Sequence, residues 1–389
     1  MTQVPELVDR AGRRYALDQP RWRGDDGSPL TVEPLPGITR DDVDTSVRSQ
    51  WRYAAALPQP IERPVTLGEG CTPMLPLEID GTALLVKPEW FNPTASFKDR
   101  GTTVMVSTLA RQGVSHLLED SSGNGGSSVA AYAAASGIQA TILAPSTTSP
   151  AKILQSRVHG ADVELVPGSR QATADEAVRR SATMFYASHN WHPFFLQGTK
   201  LLAYEIWEDL GFTAPDAVVL PAGAGSLVLG CHLGFSELLS SGAITHRPRL
   251  LVAQPSNCSP LVAAFTQGAN SASTDRWSPT LAEGTAIARP VRDREVLEAI
   301  RTSGGDMAAV AEPDIAPATL ELARRGLYAE PTSAIVVPAI REFLRRGSLR
   351  SGETVVAVLT GSALKATDAV AHLAHQNRPA AAQNRLADK

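Results

Sequence analysis

Lys98 is the residue of this 389-residue chain best suited to covalent chemistry, and it lies in the string NPTASFKDRG, 92–101. A lysine that forms a Schiff base must be desolvated enough to be neutral when it meets an aldehyde. Phe97 offers the apolar contact, and Ser96, Asp99 and Arg100 offer side chains that fix the turn. A lone lysine beside an aspartate reads equally as a surface ion pair, so the weight rests on the whole string. A second segment, SSGNGGSS at 121–128, opens an Ala-rich helical run. Amides at a helix start bind anions with help from the helix dipole, small residues admit a carboxylate, and Asn124 adds a donor. A third, PAGAGS at 221–226, stands between a strand and a helix. It lacks the lysine of a nucleotide P-loop and the full dinucleotide pattern, so a small cofactor phosphate suits it better. A fourth, LTGSALK at 359–365, ends the last strand, where Thr360 can reach a ring nitrogen. Taken singly, the last three also read as ordinary turns and strand ends.

Short β-branched runs alternate with helical ones and would position these segments. TALLVK, QATILAP, DVELVPG, DAVVLPAG, RLLVAQP and TVVAVLTG read as strands. SSVAAYAAASG, SPAKILQSRVHG and SLVLGCHLGFSELLSSG read as helices closed by Gly137, Gly160 and Gly242. Apolar strands alternating with helices predict parallel sheets covered on both faces, with ligands at the loops that follow the strands. Residues 1–50 are polar and rich in Pro, Gly and Arg, and read as an arm or cover. The stretch after Lys365 reads as a surface helix.

A formal net charge of −4 leaves no basic footprint for nucleic acid or an anionic membrane. Two charge-free stretches, 121–150 and 217–235, are broken by Gly, Ser, Thr or Pro and do not form an apolar run of about 20 residues. Cys71, Cys231 and Cys258 are odd in number and widely spaced. They form neither a disulfide framework nor a metal spacing, which points to a reducing cytoplasm. The first residues lack the apolar core of a secretory signal.

The four segments together, in this order, resemble the pyridoxal-5′-phosphate (PLP) enzymes of threonine synthase type. The family's PTGSFKDRG is matched at 93–101 with Ala95 for Gly, SSGN at 121–124, the glycine-rich phosphate loop at 223–227 and TGxxLK at 360–365. WRYAAALP, GEGCTPM, Gln254 and EPTSA (330–334) match less specifically. The resemblance spans about 50–366. It implies a two-domain α/β fold of type II, with a large PLP-binding domain from 51–100 and 200–370. A small mobile domain at 101–199 would close over the substrate, with the active site in the cleft and 371–389 as a tail. It implies that Lys98 bonds the cofactor aldehyde and later shuttles protons, with Phe97 beside it. Asn124 would meet the ring hydroxyl, and Gly223, Ala224, Gly225, Ser226 and Leu227 would hold the phosphate. Thr360 would be the neutral partner of the ring nitrogen. Ser121, Ser122, Gly123, Asn124 and Gly125 would bind the substrate, an amino acid, and the enzyme would be a homodimer. Many relatives begin with paired cysteines resembling a zinc ribbon. Here Gly24 and Asp26 stand in such places, so no structural zinc is expected.

Two positions depart from the pattern around the substrate. Gly125 stands where the family usually has Thr, and Phe195 aligns with a family arginine that helps hold substrate phosphate. A phenylalanine cannot replace a guanidinium fork. His189 and His192 lie nearby, as core or surface residues or as a substituted anion site. Three functions follow: a threonine-synthase-like lyase, a paralogue with another leaving group or nucleophile or a dehydratase, and a quiet PLP-binding regulator.

Overall fold

The computed structural model describes residues 4–273 and 277–376. Its larger sheet has six strands in the order Asp306–Val310, Arg249–Pro255, Ala217–Pro221, Val355–Leu359, Thr82–Pro88, Leu75–Ile79. All pairs are parallel except the last. The smaller sheet is wholly parallel, in the order Asp162–Val166, Gln139–Pro145, His116–Glu119, Phe185–Tyr186. The six strands expected from β-branched runs are all present. Ala217–Pro221 and Val355–Leu359 are buried at every position, because helices cover both faces of the sheet.

The expected helices form as Asn124–Ser136, Pro150–Val158 and Ser226–Ser240. Gly137, Gly160 and Gly242 follow them at φ +72°, +85° and +75°, the left-handed region in which a helix ends without a Cβ penalty. The final helix runs Thr367–Gln376; the rest of the expected tail lies outside the described residues.

The polar first fifty residues carry more core than their composition predicts. Leu7–Val8, Arg14–Tyr15 and Thr31–Val32 pair into a three-stranded antiparallel sheet. Leu7, Tyr15, Leu30 and Ile38 join the main hydrophobic cluster with Val218, Leu220 and Val356 of the larger sheet. Around Gly24, hydrogen bonds tie the loop together: Tyr15 donates to Asp9 at 2.7 Å and accepts from the Asp25 amide at 2.9 Å.

Helix Lys98–Arg111 crosses helix Pro193–Thr199 where two glycines meet. A Cβ on Gly198 would lie 2.0 Å from the Arg100 carbonyl oxygen, and one on Gly101 would lie 2.5 Å from the Phe195 ring. This close approach seats Phe195 beneath the first turn of the lysine helix.

Candidate active site

The segments converge at the carboxyl ends of parallel strands. Lys98 opens its helix directly after Phe97, whose amide donates to the Thr360 carbonyl at 3.0 Å. Ser96 bridges to Gly361. The lysine turn is thereby fastened to the turn after Val355–Leu359. Asp99 ties it internally, accepting from the Thr94 amide at 2.6 Å, the Thr94 hydroxyl at 2.6 Å and Ser128 Oγ at 2.6 Å. Burial nevertheless raises the Asp99 carboxyl to about 6. Arg100, fully buried, pairs with Glu89 at 2.5 Å and Glu205 at 2.8 Å.

Lys98 Nζ lies 4.6 Å from the centre of the Phe97 ring and 5.7 Å from that of Phe195. Burial lowers its pKa to about 8; Glu119 and Glu330 oppose the fall and Arg170 adds to it. A poorly solvated amine between aromatic faces holds a larger neutral fraction than a free lysine does.

Gly225, at φ +85°, precedes helix Ser226–Ser240, and a Cβ there would meet Val296 at 2.4 Å. The amides of residues 223–227 donate to no other described residue. Gln254 braces the loop from below: its Nε2 donates to the Ala222 carbonyl at 3.1 Å, and its Oε1 accepts from Leu261 N at 2.9 Å. Across the cleft, the amides of residues 121–126 are likewise free of protein acceptors at the start of helix Asn124–Ser136. Two helix starts with unclaimed N–H groups therefore accompany one depressed lysine, a setting for two anions.

Glu330 was not singled out from the sequence. It is buried and accepts from Asn124 Nδ2 at 3.1 Å and from Thr360 Oγ1 at 3.1 Å. Burial raises its pKa, while those two hydrogen bonds act against the rise. Lys365 donates to the Thr94 carbonyl at 2.8 Å, Ser127 Oγ at 2.6 Å and Gln155 Oε1 at 2.8 Å, joining the lysine turn to two helices beside the smaller sheet.

Phe195 is fully buried and forms the floor beneath Lys98. Both histidines are buried as well. His192 caps its helix by accepting the Phe194 amide through Nδ1 at 3.3 Å, and burial lowers it to about 3. His189 pairs with Glu119.

The description "Pyridoxal-phosphate dependent enzyme" matches residues 65–361. The chain belongs to this family. It is 34% identical to a threonine synthase of Methanosarcina acetivorans over 337 residues, 84% of this chain and 83% of the relative. It is 33% identical to a threonine synthase of Methanocaldococcus jannaschii over 92% of each. It is thus a PLP-dependent, threonine-synthase-like lyase. Maize serine racemase superposes with a TM-score of 0.63 at 20% identity, covering 79% of this chain and 94% of that structure. A Rhizomucor miehei L-serine ammonia-lyase does so with 0.66 at 20% identity, over 75% and 94%. These two share the fold, the two-domain type II architecture. The residues fit the cofactor on local grounds too. The amides of 223–227 are unclaimed, a Cβ would fill the Gly225 cradle, and the buried Ser96 hydroxyl lacks a partner. No helix among the described residues is long and apolar enough to cross a membrane.

Proposed function

We propose that the enzyme removes a γ-oxygen leaving group from an amino acid and adds water at the β carbon, with O-phosphohomoserine as the substrate. One observation carries this reading: the depressed Lys98 amine is accompanied by two sets of unclaimed helix-start amides, each following the carboxyl end of a parallel strand. In it, the amides of Gly223, Ala224, Gly225, Ser226 and Leu227 hold the cofactor phosphate. Those of Ser121, Ser122, Gly123, Asn124 and Gly125 hold the substrate carboxylate. Asn124 and Thr360 orient the cofactor ring, and Glu330, which bridges them, sets which of their protons face it. The bound cofactor supplies an electron sink that makes bonds at the substrate's α carbon labile. Lys98 Nζ would take the α proton, pass it on, and then take a β proton, so that the γ substituent leaves. Phe97 and Phe195 keep water from Nζ.

Closure of residues 101–199 over the rest would exclude bulk water, and the three hydrogen bonds of Lys365 would hold the two parts together once closed. We place the enzyme in the cytoplasm, where three free thiols are stable, and take it as a homodimer on family grounds. A second reading, a leaving group other than phosphate, is favoured by Phe195 in the place expected for a phosphate-binding arginine.

The test is the visible absorbance of the purified protein before and after borohydride, beside Lys98→Ala. A band present in the wild type and absent in the variant places the cofactor on Lys98. O-Phosphohomoserine is then added. Release of phosphate and threonine supports the first reading, and an inert but coloured protein supports the second. A colourless protein that takes up no PLP overturns both.

A further inference from the structure

Glu119 and His189 have no part in the roles above, yet they sit beside Lys98. Glu119 ends His116–Glu119, an inner strand of the smaller sheet, just before the loop that leads into Asn124, and is fully buried. Its carboxylate accepts from the His189 amide at 3.1 Å and meets His189 Nδ1 at 3.1 Å. It also accepts from the Asp120 amide at 3.0 Å. With Glu119 ionised, Nδ1 is the donor and Nε2 an acceptor, the arrangement of an oriented imidazole; burial raises the Glu119 carboxyl to about 7 and keeps the His189 ring neutral by lowering it well below the usual histidine range.

The ring is held in place on its other sides as well. A Cβ on Gly125 would lie 2.7 Å from His189 Nδ1 and 2.8 Å from Cε1, so the imidazole occupies the volume that a larger residue at position 125 would take. The ring centre is 5.7 Å from that of Phe195, and Phe195 is also 5.7 Å from Lys98 Nζ. Nε2 has no hydrogen-bond partner among the described residues. It is also absent from the buried unsatisfied groups, in contrast to Nε2 of His192, and the ring keeps 9% of its surface exposed. The two departures from the family pattern, Gly125 and Phe195, are thus the two surfaces against which His189 packs.

We propose that Glu119 and His189 form a proton-handling pair at the side-chain end of the substrate site, with His189 Nε2 as the base for the water that adds to the β carbon. The inference rests on the reading above, in which a γ substituent leaves before water enters. The water oxygen bonds to the β carbon as one of its O–H bonds breaks, and that proton passes to Nε2. Before this, one of the two protons taken by Lys98 returns to the γ carbon, which becomes a methyl group and leaves the double bond between the α and β carbons. As water adds, the electrons of that bond move toward the α carbon, where Lys98 returns the second proton. Glu119 lies against the transient imidazolium, which loses its proton to solvent as the product departs. No oxidant or reductant is required.

His189→Asn separates the roles, because the asparagine amide can keep the bond to Glu119 while the outer nitrogen is lost. With O-phosphohomoserine and the loaded enzyme, phosphate, threonine, 2-oxobutyrate and ammonia are all measured. Without the base, the unsaturated chain is released and hydrolysed to 2-oxobutyrate and ammonia. We expect threonine formation to fall ~10²-fold further than phosphate release, the scale of a lost general base. The second readout needs no cofactor: NMR of the histidine ring nitrogens in the cofactor-free protein. An Nδ1–H, Nε2-acceptor tautomer in the wild type, weakened in Glu119→Gln, supports the pair. An unchanged ratio of threonine to 2-oxobutyrate in His189→Asn overturns the inference and leaves the reaction assignment standing. So does a wild-type Nε2–H tautomer, which serves as the test if the variant does not fold. A wild type that releases neither phosphate nor threonine overturns the assignment and the inference together.

Discussion

Lys98 and Gly125 show how much a single residue's surroundings decide. With its pKa lowered to about 8, roughly a tenth of the Lys98 amine is neutral at pH 7, against well under a thousandth for an ordinary lysine near 10.4. Only the neutral amine attacks an aldehyde. Cofactor uptake by the cofactor-free protein should therefore quicken as pH rises and level off above about 8. Stopped-flow absorbance after mixing with PLP measures this, and a midpoint near that of free lysine would contradict the burial argument. At Gly125 the added methyl of Gly125→Ala would press on the His189 ring at 2.7 Å. Overpacking of this kind costs about 1–3 kcal/mol, which a urea midpoint will record. Displacement of the ring should also divert product from threonine to 2-oxobutyrate, as in His189→Asn.

At the scale of elements, the site depends on where helices begin and how closely they cross. Gly225→Ala places a Cβ at φ +85° and 2.4 Å from Val296, in the loop proposed to hold the cofactor phosphate. A left-handed non-glycine residue costs roughly 1–2 kcal/mol, and the clash adds to it. Relief by shifting the loop would misalign the amides. We expect weaker PLP binding in a spectrophotometric titration, with Lys98 still able to form its band at high cofactor. Gly198→Ala acts elsewhere, through the helix crossing. Its Cβ would meet the Arg100 carbonyl at 2.0 Å, and backbone cannot yield as a side-chain end can. Its thermal midpoint should fall clearly.

Across the whole molecule, buried charge joins distant parts of the chain. Arg100, two residues after Lys98, Glu89 after strand Thr82–Pro88 and Glu205 on helix Leu201–Asp209 share one network with Lys87 and Thr72. Removing one member strands an uncompensated charge, at about 3–5 kcal/mol. Against a usual total of about 5–15 kcal/mol, Glu205→Gln should leave a poorly folded protein that purifies with little cofactor. Far-UV circular dichroism and urea unfolding measure the first effect, and the cofactor band measures the second. The arm is fastened from within as well. Arg292, almost wholly buried, donates to the Leu30 carbonyl at 2.8 Å and to that of Asn190 at 3.3 Å.

The strands of β-branched residues, the glycine-closed helices and the lysine string were legible in the sequence, because each depends on local propensity or on a contiguous motif. His116–Glu119 was not: four residues are too few to show a period, although this strand carries Glu119 to the site. The buried arm was also hidden, since its apolar residues are single and scattered and only the fold gathers them. Glu330 lay in plain sight within EPTSA. Its place between Asn124 and Thr360 depends on residues some two hundred positions and thirty positions away. The sequence alone determined the family and the class of reaction, since the motifs that carry the resemblance are runs of neighbouring residues. Tertiary structure alone decided what stands around that chemistry. A pKa shift, the filling of the space at Gly125 and the coupling of Glu119 to His189 arise from volume and dielectric shared by segments distant in the chain.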